Sequence, residues 1–114
     1  MSRIPIKTGP GRIILLDAAE IYYIEGERGD TLVRTHRRAR YRSTDRLSSW
    51  ERRLGGTGFM RVHRSYVVNL DRVRELRVRR GDTNDWEMKL DPPVNRVLPI
   101  GRAYLTKVKK ALGL

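Results

Sequence analysis

The sequence predicts a mainly β domain: about nine or ten short strands, one inner helix and one terminal helix, arranged as a β-sandwich or a stack of small antiparallel sheets. Three observations carry this. Short β-rich runs recur along most of the 114 residues, turn signals separate them at regular intervals, and helical apolar spacing occurs in only two places.

In chain order, "RIPIKT" (3–8) alternates and ends at the turn "GPG" (9–11), and "RIILL" (12–16) is a short apolar return. "EIYYIE" (20–25) is β-rich and leads through "GERGD" (26–30) into "TLVRTH" (31–36), which alternates as a half-buried strand does. "RARYRS" (38–43) pairs with it as a hairpin through Arg37 and Arg38. The period then changes. In "STDRLSSWERRL" (43–54), Leu47, Trp50 and Leu54 fall on one helical face, with Thr44 as N-cap and "GG" as the stop. Phe59 to His63 reads as a strand, and so does "YVV" (66–68). "NLDRV" (69–73) makes a tight helical turn capped by Asn69. "RELRVRR" (74–80), the loop "GDTND" (81–85) and "WEMKL" (86–90) form a hairpin, with Trp86, Met88 and Leu90 on one face. "RVLPI" (96–100) is the last strand. Leu105, Val108 and Leu112 give helical spacing over 102–112, with Lys107, Lys109 and Lys110 on the other sides.

Charge narrows the function. The chain carries 25 basic residues against 13 acidic ones, a net +12 with a pI near 11. Twenty of the basic residues are Arg, and sixteen of those lie in residues 26–80 beside only six acids. Such a field attracts a polyanion. The planar fork of arginine suits phosphates and the paired acceptors of guanine. No cysteine is present, no apolar run reaches the length of a membrane span, and "MSRIPIKTGP" lacks a signal-peptide core, so a cytoplasmic protein with no membrane partner is expected.

Catalytic chemistries find little support. The only histidines are His36 and His63, and no metal-spaced cluster accompanies them. His63 and Ser65 could share a strand face, but the G-x-S-x-G elbow is missing. No Walker A loop or GxGxxG occurs. Neither enzyme activity, a cofactor nor a small-molecule substrate is expected. Binding remains. Arg61, Arg64 and Ser65 offer two forks and a hydroxyl near a strand end, suited to phosphate or base contacts. A salt bridge to a nearby acid is an equal alternative for Arg61. His63 reads as a hydrogen-bonded packing element.

The stretch "FMRVHRSYVVNLDRV" (59–73) closely resembles the signature of the LytTR family of bacterial DNA-binding domains, roughly F-x-R-[VC]-H-R-S-[YF]-[LIV]-[VI]-N followed by an apolar residue. "DAAEIYYIEGERGDTLVRT", "YRSTDRLSSWERRL" and "VLPIGRAYLTKVKKAL" resemble the family's early strand pair, helix and closing segment. The resemblance implies a single domain over 3–114, an elongated fold of about ten strands in three small sheets with one or two short helices, and a role in a transcription regulator, often behind a phosphoacceptor receiver. It implies double-stranded DNA as partner, at promoter direct repeats, with a homodimer on DNA allowed, and loops rather than a helix entering successive major grooves. By position, contacts then map to Arg28, Gly29, Asp30 and Thr31, to Arg64, and to Arg102. Lys107 is expected to touch phosphate, while Arg46 and Arg52, placed on the outer face of the inner helix, are expected to contribute little. The sequence departs from the family at Asp30, often Asn or Lys, and at Gly101, usually Ser. No receiver precedes the domain, which leaves a fragment or a stand-alone regulator, the latter permitted by Met1. Two other readings are an RNA or single-strand binder, which would need exposed aromatics from a set of eight, and a protein-interaction domain with incidental charge.

Overall fold

The structure, a computed structural model, describes residues 3–37, 39–81 and 84–114. Among these, ten strands form three antiparallel sheets. β1 (Arg3–Gly9) and β2 (Arg12–Asp17) make a hairpin of their own. β3 (Ile21–Glu27), β4 (Asp30–Thr35), β5 (Arg40–Ser43), β6 (Phe59–His63) and β7 (Tyr66–Asn69) make the central sheet in the order β5-β4-β3-β7-β6. β8 (Val73–Val78), β9 (Trp86–Leu90) and β10 (Val97–Ile100) make the third. Helix α1 (Leu47–Leu54) lies between β5 and β6, and α2 (Leu105–Ala111) closes the chain. The molecule is elongated, 47 × 26 × 24 Å.

The central sheet is covered on both faces, and this explains its sequence. One core joins Ile4, Ile6 and Leu16 of the hairpin and Leu47, Trp50 and Leu54 of α1 to Ile21, Ile24, Val33 and Val67 of the sheet. A second joins Met88, Leu90, Leu98 and Ile100 of the third sheet and Val108 of α2 to Tyr22, Tyr23, Val62 and Val68. β3 feeds both cores, so Ile21 to Ile24 are all buried and the strand reads as an apolar run, not an alternation. A register shift between Ile21 and Tyr23 makes this workable, because a bulge lets Tyr22 and Tyr23 serve the same core. The Tyr22 hydroxyl donates to the Pro92 carbonyl and the Tyr23 hydroxyl accepts from Arg96, so both polar ends are satisfied.

Most expected elements are present with shifted ends. α1 starts at Leu47 with Arg46 as its N-cap residue, and no side chain caps it. Thr44 does not cap the helix. Its backbone N–H pairs with Lys7 of β1, and the Ser43 hydroxyl instead accepts from the Asp45 N–H. α2 starts at Leu105, not 102, because residues 101–104 form a turn closed by the Tyr104 N–H on the Gly101 carbonyl. Asn69 does cap the turn at 70–72, accepting from the Asp71 N–H. The expected strand start and hairpin turn at Arg38, and residues 82–83 of the expected "GDTND" loop, lie outside the described residues.

Trp50 is the centre of the first core, with no exposure to solvent. Its indole N–H donates to the Thr31 hydroxyl at 2.9 Å, and that hydroxyl donates to the Asp45 carbonyl at 2.9 Å. Thr31 is itself fully buried, and its side chain ties β4 to the entry of α1. A Thr31→Val variant keeps the shape and strands both partners. We expect a loss of about 1–3 kcal/mol, seen as a melting temperature several degrees lower, with Thr31→Ser close to wild type. Denaturant unfolding of both variants checks this.

Candidate nucleic-acid interface

The site is built around the turn between β6 and β7. β6 pairs Arg61 with Val67 and His63 with Tyr66, which leaves Val62 as the extra residue of a bulge. The bulge aims Arg61 back across the turn. Its Nε–H donates to the His63 carbonyl at 2.9 Å, one terminal nitrogen donates to the Arg64 carbonyl, and the other meets Glu51 of α1 at 3.0 Å. The side chain is only 17% exposed. Arg61 therefore shapes the turn and ion-pairs with an acid. His63 closes the turn from within: its Nδ1 accepts from the Ser65 N–H at 3.1 Å and its ring leans on Tyr66. What remains outside is Arg64, exposed, its guanidinium unpaired among the described residues.

Two other loops are sewn to this turn through the backbone. The Gly26 N–H donates to the Ser65 carbonyl at 2.9 Å, which fixes the base of the β3–β4 hairpin. That hairpin is tight, since Glu27 pairs with Asp30 and only Arg28 and Gly29 form its tip, at φ of 50° and 91°. Positive φ at both positions is the geometry that continues strand twist. Glycine takes it freely, and an arginine there is strained. The Arg28 side chain is exposed, and no ion pair holds it among the described residues. On the other side, the Gly101 N–H donates to the Val62 carbonyl at 2.8 Å. A Cβ at 101 would stand 3.0 Å from the Tyr104 ring and 3.6 Å from the His63 Cα, so glycine lets the third loop approach this closely. Arg102 projects from that loop, exposed, with its Nε–H on Asp85 at 2.8 Å.

The expected site residues thus sort themselves. Arg28, Gly29, Asp30, Arg61, Arg64 and Ser65 line one open cleft of about 290 Å³. Arg102 lines a neighbouring cleft with His63. Lys107 stands apart, exposed, in a third cleft between α1 and α2. Asp30 and Glu27 both face Arg42, at 3.8 and 3.6 Å. Arg46 is a residue that sequence reasoning misplaced. It is not on an outer helical face but lines the cleft shared by Arg28 and Arg64. Only the late start of the helix, at Leu47 with Arg46 as its N-cap residue, would have revealed it. The largest rings are withdrawn from stacking: Trp50 and Phe59 are buried, and Lys109 lies 4.0 Å over Trp86.

A basic, strand-rich domain with cations on joined loops and its large aromatics withdrawn is a DNA-binding domain. Its sequence matches the LytTr DNA-binding domain family over residues 11–113, and the chain belongs to that family. It is 32% identical over 100 residues to the sensory transduction protein LytT of Bacillus subtilis, covering 88% of this chain and 39% of that protein. It is 33% identical over 111 residues to the heme-containing CO-sensing transcriptional regulator RcoM 1 of Paraburkholderia xenovorans, covering 90% of this chain and 37% of that one. The chain thus spans about two fifths of the length of these relatives. A LytTr DNA-binding domain from Bacillus cereus has the same fold, with a TM-score of 0.79 at 19% identity over 100% of this chain and 99% of that one. No helix among the described residues is long and apolar enough to cross a membrane.

Two predictions follow from the geometry. Burial first, then the charges of Arg64 and Arg61, hold the His63 pKa below its ordinary value. The unfolded chain therefore takes up the proton before the folded one does. The stability held at His63 is complete above the unfolded value of about 6.5 and is lost as pH falls through the lower folded value. Melting curves from about pH 7 down to about pH 5 should fall more steeply for wild type than for His63→Gln, and parallel curves would contradict the assignment. At the hairpin tip, Arg28→Asn should raise stability by up to roughly 1 kcal/mol, by relieving the left-handed arginine, while weakening DNA binding. Unfolding and duplex titration of the same variant test both halves.

Proposed function

We propose that residues 3–114 form a single module that reads double-stranded DNA for a transcription regulator, by presenting three loops to one face of the duplex. The observation that carries this reading is the stitching of the loops: Gly26 to Ser65 and Gly101 to Val62 bind the tips carrying Arg28 and Arg102 to the turn carrying Arg64. Cations from distant parts of the chain are thereby held on a common scaffold. Both helices spend an apolar face on the fold, α1 through Leu47, Trp50 and Leu54 on the first core and α2 through Val108 on the second.

In this reading Arg64 meets base edges, Arg28 and Arg102 flank it, and Gly29 allows close backbone approach. Asp30 shapes its hairpin with Arg42, Arg61 and Ser65 position the turn, and Lys107 adds a phosphate contact. Binding, not catalysis, is the activity, without a cofactor or small-molecule substrate, and the compartment is the cytoplasm. Direct repeats would seat two copies side by side, as a homodimer on DNA. The names of the LytT and RcoM relatives, sensory transduction and transcriptional regulation, support a regulator's role for this module.

Selection from random duplexes tests the reading directly. A half-site recurring at about one-turn spacing is expected, and a pool that shows no enrichment would refute it. On the selected site, Arg64→Ala should cost roughly 1–3 kcal/mol and relax preference at one base position. An equal loss on scrambled DNA would make Arg64 a phosphate contact instead.

A further inference from the structure

We propose that Arg46 grips a DNA backbone phosphate from the cleft between the Arg28 and Arg64 loops, an inference that rests on the loop-reading function above. The carboxylates around that cleft are already engaged. Glu27 and Asp30 face Arg42 at 3.6 and 3.8 Å, Asp45 is held by Arg53 at 3.0 Å, and Glu51 is held by Arg61 at 3.0 Å. Each of these four acids already faces an arginine, and none of the three arginines involved is Arg28, Arg46 or Arg64. Three guanidinium groups therefore line one open cleft of about 290 Å³ without a side-chain counter-ion among the described residues. Like charges gathered this way repel one another, and an anion entering between them relieves the repulsion.

Arg46 differs from its two neighbours in how it is held. Its backbone is extended, at φ −80° and ψ 158°, and its carbonyl accepts from the N–H groups of both Ser49 and Trp50. The residue is thus anchored to the first turn of α1, and through Trp50 to the core, while its side chain is exposed and unpaired. Arg28 and Arg64 sit at loop tips, where a side chain can reach into a groove. Arg46 sits at the root of a helix and lines the same cleft. A cation rooted in a rigid element and flanked by two reading loops suits the strand that borders a groove. Contacts of this kind fix register and orientation and carry no sequence information.

The test measures affinity for the selected duplex and for a scrambled duplex over a range of salt concentrations. Arg46→Ala should weaken both by a common factor of about three to ten and lower the salt slope by about 0.9. Arg46→Lys should restore most of the loss. Arg52→Ala, exposed further along α1 with its guanidinium on Ser49, should change neither affinity. A scan of single neutral methylphosphonates across the site should find one position where wild type loses affinity and Arg46→Ala loses no more. If Arg46→Ala leaves affinity and slope unchanged while Arg64→Ala abolishes preference, the inference fails and the loop reading stands. A loss confined to the selected duplex would make Arg46 a base reader and overturn the phosphate assignment. If neither variant matters, the loop reading itself fails.

Discussion

The interface depends on one arginine that does not face outward. Arg61 spends its guanidinium on two turn carbonyls and on Glu51 of α1, at 17% exposure. Without it, the carbonyls of His63 and Arg64 lose their donors and α1 loses its tie to the turn. The turn in turn holds the other loops, because Ser65 and Val62 supply the carbonyls that receive Gly26 and Gly101. The Val62 bulge makes this geometry available: an extra residue rotates the strand so that Arg61 points along the turn while Val62 enters the second core. The buried valine and the half-buried arginine are thus two sides of one distortion.

The same economy runs through the electrostatics. Twenty-five cations in one small domain repel one another unless many are paired locally. Arg3, Arg42, Arg53, Arg74 and Arg77 all face carboxylates, and Arg72 donates to the Ala19 carbonyl while covering the Tyr22 ring. These pairs are mostly exposed and each stabilises the fold little. Their larger effect is subtractive. By occupying the acids, they leave Arg28, Arg46 and Arg64 as uncompensated charge in one place, and a localised field steers a polyanion better than a diffuse one.

Much of this was legible in the sequence, and the failures have physical causes. Alternation located β4 and β9, helical spacing located α1 and its buried face, and the Asn69 cap was correct because its signals are local. The LytTR resemblance anticipated the three sheets and the family. Helix starts were misjudged at Thr44 and at 102 because caps depend on which neighbour competes for the N–H groups, and at both ends a turn closed first. Thr31 was placed among the contacts because it follows the hairpin tip. Only the tertiary position of Trp50 reveals that its hydroxyl is committed inside. For Arg61 the ion-pair reading has its partner in Glu51, ten residues away in the chain and on another element.

Loops are ordinarily poor places for exacting recognition, because ordering them on binding costs conformational entropy. Here each tip leaves a strand after very few residues. The β3–β4 tip has two, between Glu27 and Asp30, and the β6–β7 turn has two, between His63 and Tyr66. The third loop is tied by its first residue, Gly101, and closed again by Tyr104. Such loops inherit the rigidity of the central sheet, whose strands are packed on both faces. The mobility that remains belongs to the side chains, and arginine forks lose little of it per hydrogen bond formed. Reading by loops is then compatible with specificity because these loops are, mechanically, the ends of a sheet. Under the proposed loop reading, Val62 and Gly101 bear on recognition from the protein side, because their close packing holds the loop geometry.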